Sequence, residues 1–315
     1  MENGRTVLVA LGGNAITREF EEGNIQQQFA NTRRSLAGVL DLIKKGHRIA
    51  LTHGNGPQVG NAMIRVEESR HLVPPLPLGC IVADLQGGMG YMIQQSLQNK
   101  LHRSHIDRKV TTIITQVLVD KNDPSVLNPT KFVGPFLKQE EIEDIVSKRG
   151  WVVKEDAGRG FRRVVPSPTP LEIVEKDTIK KLVDDGTIVI CNGGGGIPVY
   201  VEKDGTFEGV DAVIDKDLSA AILARDIQAD ELFILTAVEK VALNYRKPDE
   251  VLLDEINIRQ ARQYLAAGHF PPGSMGPKIQ AAINFLEAGG KCVLITAVEK
   301  MRDAVCGKTG TRVVP

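Results

Sequence analysis

Three lysines and an aspartate stand in this 315-residue chain where charge on a bound molecule can be handled. Val213-Ile214-Asp215-Lys216-Asp217-Leu218 places two carboxylates and an ammonium where an apolar run gives way to a helix. Asp215 suits a helix cap. Lys216 and Asp217 then lie beside whatever the strand end faces, and Asp217 can hold one or more lysines. Gly273-Ser274-Met275-Gly276-Pro277-Lys278 precedes a second helix, with Pro277 near its start and Lys278 in its first turn. A cation is unfavourable at the positive end of a helix dipole, so Lys278 either faces a phosphate or is solvated. Asn128-Pro129-Thr130-Lys131 adds a third lysine in a polar stretch, where an exposed loop charge is the ordinary reading.

Three apolar runs end in glycines: Val7–Ala15 (VLVALGGNA), Ile49–Gly60 (IALTHGNGPQVG) and Ile188–Pro198 (IVICNGGGGIP). Short apolar runs without polar alternation read as strands buried on both faces of a parallel sheet. Glycines past the carboxyl end of such strands bring bare N–H groups close to a ligand, at the sheet edge where ligands bind in open α/β folds. The three turns either collect one anion site, most simply for phosphates, or are only tight turns. Gly307-Lys308-Thr309 imitates the end of a P-loop, but Arg302 stands where its first glycine belongs and no helix follows. Gly54-Asn55-Gly56 has its third glycine at Gly60, one residue late for a dinucleotide fingerprint, and the chain has no HRD or DFG. Lysines and bare amides without a nucleophile–base pair suit phosphoryl transfer, which asks for positioning and charge around the transferred group.

Other groups have simpler readings. His102 and His105 at HxxH spacing lack an acidic third ligand, so no metal is assigned. Arg159, Arg162 and Arg163 form either an anion patch or a hairpin salt-bridged to Glu155 and Asp156. His53, before the second glycine turn, reads as a hydrogen-bonded structural residue rather than a base.

The elements that must position these groups alternate. Strand Val7–Leu11 is followed by a helix over about Gln26–Lys45, with Phe29, Leu36, Leu40 and Ile43 on one face and Gly46 at its end. Strand Arg48–Thr52, a helix from Pro57 to about Arg70, a helix over about Ile81–Arg103 and strand Val110–Val119 come next. From Asp120 to Pro170 the chain turns to prolines, glycines and charges, with a helix near Gln139–Lys148 and hairpin pieces at Trp151–Lys154 and Arg162–Val165. That reads as an inserted subdomain. Helix Glu175–Asp185, strand Thr187–Cys191, a hairpin to Glu208, strand Ala212–Ile214, helix Leu218–Ile227 and strand Glu231–Leu235 resume the alternation. Helices Ile258–Ala267 and Pro277–Ala288 and strand Lys291–Ile295 end it. The expected fold class is α/β, a mainly parallel sheet covered on both faces.

Composition narrows the partners. Lys+Arg and Asp+Glu are both 39 and aromatics are 4%, which leaves no field or stacking platform for nucleic acid or an anionic membrane. Cys80, Cys191, Cys292 and Cys306 form no CxxC pair, and two sit in apolar runs, as buried thiols in a reducing compartment do. The first apolar run is too short for a signal peptide and no run is long enough to span a membrane, so a cytoplasmic protein is expected.

Ala10–Ala15 (ALGGNA), Leu51–Gly60, Asn128–Pro135 (NPTKFVGP), Lys154–Pro170, Gly193–Val199 (GGGGIPV), Val213–Leu218 (VIDKDL) and Gly268–Lys278 (GHFPPGSMGPK) together resemble carbamate kinases, of the amino acid kinase family. The resemblance runs in order through essentially the whole chain. It implies an open αβα sandwich, a homodimer, and reversible phosphoryl transfer between ATP and carbamate. It also implies a carbamate-binding lobe over 1–217, with a protruding subdomain at about 120–170, and a nucleotide lobe over 218–315. By the same resemblance Gly12, Gly13, Asn14, Gly54, Asn55 and Gly56 hold carbamate and the transferred phosphoryl, and Lys131 reaches them from the subdomain. Lys216 and Lys278 neutralise phosphate charge and Asp217 orients them. Gly194 and Gly195 border the phosphates, and Ala237, Val238, Tyr245 and Met275 line the nucleotide pocket. Mg²⁺ is expected on the phosphates. An acetylglutamate- or uridylate-kinase-like enzyme and a non-catalytic regulator that binds nucleotide or carbamoyl phosphate are the alternatives.

Three positions depart from the family pattern. Ala83-Asp84-Leu85-Gln86-Gly87 replaces a Met-Ser-Gln-Gly run, Phe132 follows the lysine where proline is usual, and Ala237 takes an aspartate's place. They bear on helix packing beside the site and on nucleotide contacts, and none removes a charged group assigned above.

Overall fold

The computed structural model describes residues 4–18, 20–156 and 160–315, with Glu141 by its backbone alone. Its centre is the first apolar run. β1 (Thr6–Leu11) is buried at every residue and lies between two parallel neighbours, β2 (Arg48–His53) and Glu231–Thr236. The eight-stranded sheet has the order Glu255–Asn257, Thr311–Val314, Cys292–Ala297, Glu231–Thr236, β1, β2, Ile188–Ile190 and β3 (Val110–Thr112). Thr311–Val314 runs antiparallel to Cys292–Ala297 and parallel to Glu255–Asn257, so the first two strands of that order reverse and the other six are parallel. The strand order reverses at β1, the place where a crevice opens beyond the carboxyl ends.

Both faces of the sheet are covered, because alternate strand residues point opposite ways. Leu8, Ala10, Leu232, Ile234 and Ile295 pack against Leu223 of helix Lys216–Asp226 and Ile279 and Ile283 of helix Met275–Glu287. Val7, Val9, Leu11, Leu51 and Leu235 pack against the opposite layer. That layer is α1 (Ile25–Lys44), started by a capping box between Asn24 and Gln27, and a long helix over Leu78–Arg103. The αβα sandwich is the expected class. Among the described residues no helix is long and apolar enough to cross a membrane.

The inserted stretch builds its own three-stranded antiparallel sheet from Lys131–Leu137, Phe161–Val165 and Val152–Glu155, with helix Ile142–Arg149 beside it. It rests on α2 (Gly56–Ser69), where Val133 and Val165 bury against Val59 and Met63. Gly134, at φ +72, sits in an irregularity of the first strand, and a Cβ there would stand 3.0 Å from Met63 Cε.

Four expectations are corrected. The run Val110–Val119 is two strands, β3 in the main sheet and Gln116–Leu118 in a second sheet of four. The break falls at Thr115, whose amide donates to Gln86 Oε1 (2.7 Å) instead of to a neighbouring strand. Ala212–Ile214 is not a strand; the Val213 amide bonds Pro166 O (3.0 Å) in the approach to the helix. That helix begins at Lys216, two residues earlier than expected, because Asp215 caps it. Strand Thr311–Val314 was not anticipated.

Candidate functional site

The three glycine turns and all three lysines converge beyond the carboxyl ends of the central strands. β1 runs through Gly12 into a single tight turn, Gly13–Ala15, and β2 runs through Gly54 and Asn55 into α2. The Gly54 amide donates to Leu11 O (2.9 Å), which ties the two turns together. A side chain would crowd them: a Cβ on Gly54 would stand 3.2 Å from Gly13 N and 3.3 Å from Lys216 Cδ. Lys216 lays its apolar stem along Gly54 and brings its ammonium to Asp217 Oδ1.

The third turn interlocks with the second. Asn192 and Gly194–Gly196 all have left-handed φ, and a Cβ on Gly194 would overlap the Asn55 side-chain amide at 2.1 Å. Asn55 is buried, and among the described residues its Nδ2 has no hydrogen-bond partner. A buried amide N–H left unpaired costs about 1–3 kcal/mol, so the site carries a donor that gains from an incoming acceptor. Gly195 abuts Ile214 O, one residue before Asp215. Thr52 Oγ1 donates to Asn192 O (2.7 Å) and Asn192 Nδ2 to Ser219 Oγ (2.9 Å), fixing this turn to β2 and to helix Lys216–Asp226.

The charged groups form a clamp on that helix. Asp215 Oδ1 accepts from the amides of Asp217 (3.0 Å) and Leu218 (3.3 Å). Asp217 is buried, with Lys216 Nζ 2.6 Å from Oδ1 and Lys278 Nζ 2.7 Å from Oδ2. Burial by itself would raise the Asp217 carboxyl, but the two ammonium groups outweigh it and hold the pKa at about 2. Two ammonium charges share one carboxylate, so one positive charge is left to face an anion. The awkward place of Lys278 in the first turn of its own helix is offset by Asp217 on the neighbouring one. Lys131 lies at the mouth, its Nζ 3.5 Å from Asp215 Oδ2.

Lys278 also borders a cleft of about 230 Å³ lined by the expected Ala237, Val238, Tyr245 and Met275. Lys240, His269 and Phe270 are among its other walls and were not assigned from sequence. His269 and Phe270 belong to the recognised Gly268–Lys278 segment, which was their signal; Lys240 had none. Gln86 was also overlooked as a site residue. Its buried amide donates to Gly193 O (3.0 Å) and Thr115 O (3.2 Å), holding the third glycine turn from behind.

The remaining candidates are structural. His53 is buried, and burial pushes its imidazole down to about 4, so it is neutral; Nδ1 lies 3.1 Å from Gly54 O and donates to it. Arg162 binds Asp156 (3.0 Å) and Gly134 O (2.9 Å), and Arg163 binds Asp211 and stacks over Trp151 at 4.5 Å. Arg159 lies outside the described residues. A separate cavity of about 250 Å³, between α2 and Trp151, has Glu67, Arg70, Arg163 and Asp211 in ion pairs, and none of the three lysines reaches it. Cys191 and Cys292 are buried thiols, whereas Cys80 and Cys306 are exposed.

Known proteins resemble this chain over their full length. The chain is 47% identical to the carbamate kinase of Pyrococcus furiosus, across 99% of this chain and all of that one. It is 48% identical to a carbamate kinase-like protein of Escherichia coli, across 98% of both. The solved structure of Giardia lamblia carbamate kinase bound to AMP-PNP superposes with a TM-score of 0.95 at 43% identity, covering 100% of this chain and 99% of that one. The model of the amino acid kinase family matches residues 5–297. The fold is thus shared along the whole chain at more than 40% identity, and the chain belongs to the amino acid kinase family.

Proposed function

We propose that the chain is a carbamate kinase, moving a phosphoryl group between ATP and carbamate to give ADP and carbamoyl phosphate. The observation that carries the reading is Asp217 holding Lys216 and Lys278 at 2.6 and 2.7 Å, with the glycine turns on one side and the Ala237–Tyr245–Met275 cleft on the other. The nucleotide base and sugar occupy the cleft, and the phosphates run along Lys278 toward Lys216. Carbamate and the transferred group lie against the amides of Gly12, Gly13, Asn14, Gly54, Asn55 and Gly56, with Gly194 and Gly195 at the border. Lys131 closes over them. The division is then functional, a carbamate lobe over 1–217 and a nucleotide lobe over 218–315, although helix Lys216–Asp226 runs across the boundary.

Carbamate is already an anion with a nucleophilic oxygen, so no side chain has to take a proton. The transferred group spreads charge over its oxygens, and fixed ammonium and amide donors stabilise that charge without reorganising. Among the described residues no three His, Cys, Asp or Glu cluster as a metal cage, and both Asp217 oxygens are engaged by lysines. That donor set suits Mg²⁺ held mainly by nucleotide phosphates and water, where it would neutralise phosphate charge. A cytoplasmic homodimer that makes ATP from carbamoyl phosphate in arginine or purine breakdown completes the reading.

The test is ATP formation from ADP and carbamoyl phosphate with Mg²⁺, beside a panel of acetylglutamate and uridylate as phosphoryl acceptors from ATP. ATP formation that Lys216→Ala and Lys278→Ala each reduce by about two to three orders of magnitude is the expected result. Turnover only with another acceptor, or ADP binding without any turnover, would replace it with one of the alternatives.

A further inference from the structure

We propose that Asp215 is a positioning residue for Lys131, the docking point that brings the protruding subdomain's lysine to the start of the clamp helix. The inference deepens the reading of the site as one for carbamoyl phosphate and ADP, and rests on it. Asp215 divides its two oxygens between two tasks. Oδ1 caps helix Lys216–Asp226 by accepting from the Asp217 and Leu218 amides, while Oδ2 lies 3.5 Å from Lys131 Nζ. The cap fixes where the carboxylate stands, because its place is set by the helix that also carries Lys216 and Asp217. Lys131 in turn starts the strand Lys131–Leu137, whose irregular segment is held by the Arg162 guanidinium on Gly134 O (2.9 and 3.1 Å). One carboxylate therefore links the subdomain sheet to the clamp.

The pair is also electrostatically necessary. A carboxylate beside a phosphoryl site would repel the substrate, and Lys131 is the ammonium in contact with Asp215 that offsets it. The lysine is about 42% exposed on its side chain, against 13% for Lys278, so its position is set by this contact rather than by burial.

Asp215→Asn separates the tasks, since asparagine caps as well as aspartate but cannot pair with an ammonium. The full-length enzyme is assayed for ATP formation from ADP and carbamoyl phosphate in wild type, Asp215→Asn, Lys131→Met and the double variant, with thermal midpoints alongside. The expected result is an unchanged midpoint and KM for ADP, and kcat/KM for carbamoyl phosphate lowered about two- to fivefold, the range of a partly exposed pair. That loss must vanish in the Lys131→Met background. An equal loss in both backgrounds, or no loss in either, overturns the proposal. Carbodiimide cross-linking reads the contact without turnover, since it joins a touching amine and carboxylate as an amide with loss of water. A Lys131–Asp215 cross-link in wild type supports the docking contact, and its absence overturns it. An inactive wild type that still forms the cross-link would sink the carbamate kinase reading and leave the contact standing.

Discussion

The two sources of positive charge at this site are built differently. Lys216 and Lys278 stand on neighbouring helices of the main sandwich, 17% and 13% exposed, each within 2.7 Å of a buried carboxylate. Lys131 stands on a separate small sheet, 42% exposed, 3.5 Å from a carboxylate already serving as a helix cap. The first arrangement is preorganised: its lysines cannot leave without stranding a buried charge. The second is adjustable, held by one screened contact. On the proposed reading the buried pair is a fixed floor of charge, and Lys131 is a more exposed roof above it. The difference is testable through stability, because substitutions in the floor must disturb the fold and those in the roof must not.

The largest effect is expected at Asp217. Asp217→Ala leaves two ammonium groups crowded together without their carboxylate, and breaking a buried pair from one side costs about 3–5 kcal/mol. Chemical denaturation should show that loss together with loss of turnover; an unaltered midpoint would mean that the clamp is not preorganised. The clamp itself should be indifferent to mild acid. Its carboxyl sits at about 2, below the unfolded value of 3.8, so its stabilisation is complete above pH 3.8 and is lost only as pH falls toward 2.

His53 sets a different window beneath the same glycine turns. Its folded pKa of about 4 lies below the ordinary imidazole value of 6.5, so between those values the unfolded chain binds the extra proton. Stability from this residue is complete above pH 6.5 and falls as pH drops toward 4, by an amount on the order of 3 kcal/mol. Thermal midpoints measured from pH 7 to pH 4 should fall in wild type and fall less in His53→Gln, which has no proton to take up. Parallel curves would remove His53 as the source.

Next in size is the seam between the second and third turns. Gly194→Ala meets the Asn55 amide and must hold φ +69, a left-handed conformation costing a residue with a Cβ about 1–2 kcal/mol before any clash. Lower stability and weaker carbamoyl phosphate binding should appear together. Gly209→Ala is the control, because it lies outside the glycine turns and nothing stands within 4 Å of its would-be Cβ.

Most of the floor was legible in the sequence, and the roof was less so. Glycines after apolar runs, Asp215 as a cap and the adjacency of Lys216 and Asp217 are local features, and local features survive without coordinates. What escaped depends on distant partners. The continuous β-branched run Val110–Val119 gives no hint that Gln86 will take the Thr115 amide and bend it into two sheets. Nothing near Ala212–Ile214 says that Val213 will bond Pro166 rather than a strand, and Lys240 joins the cleft beside Lys278 only through the fold. The short strand Thr311–Val314 is recognisable only by its partners, antiparallel Cys292–Ala297 and parallel Glu255–Asn257.

The smallest stability effect, and the sharpest contrast, is expected from Lys131→Ala. An ion pair this exposed contributes about 0–1 kcal/mol to folding, and salt screens it further. The thermal midpoint should therefore stay within a degree or two, roughly, of wild type. Turnover is a separate matter, because a charge worth little between two wet surfaces gains strength once a bound dianion excludes water around it. Loss of turnover by about two to three orders of magnitude with an unchanged midpoint would show a lysine that acts only when the site is filled. A midpoint that dropped as far as that of Asp217→Ala would erase the distinction between floor and roof. Lys131 would then belong to the scaffold, and the charge that closes over the substrate would have to come from another group.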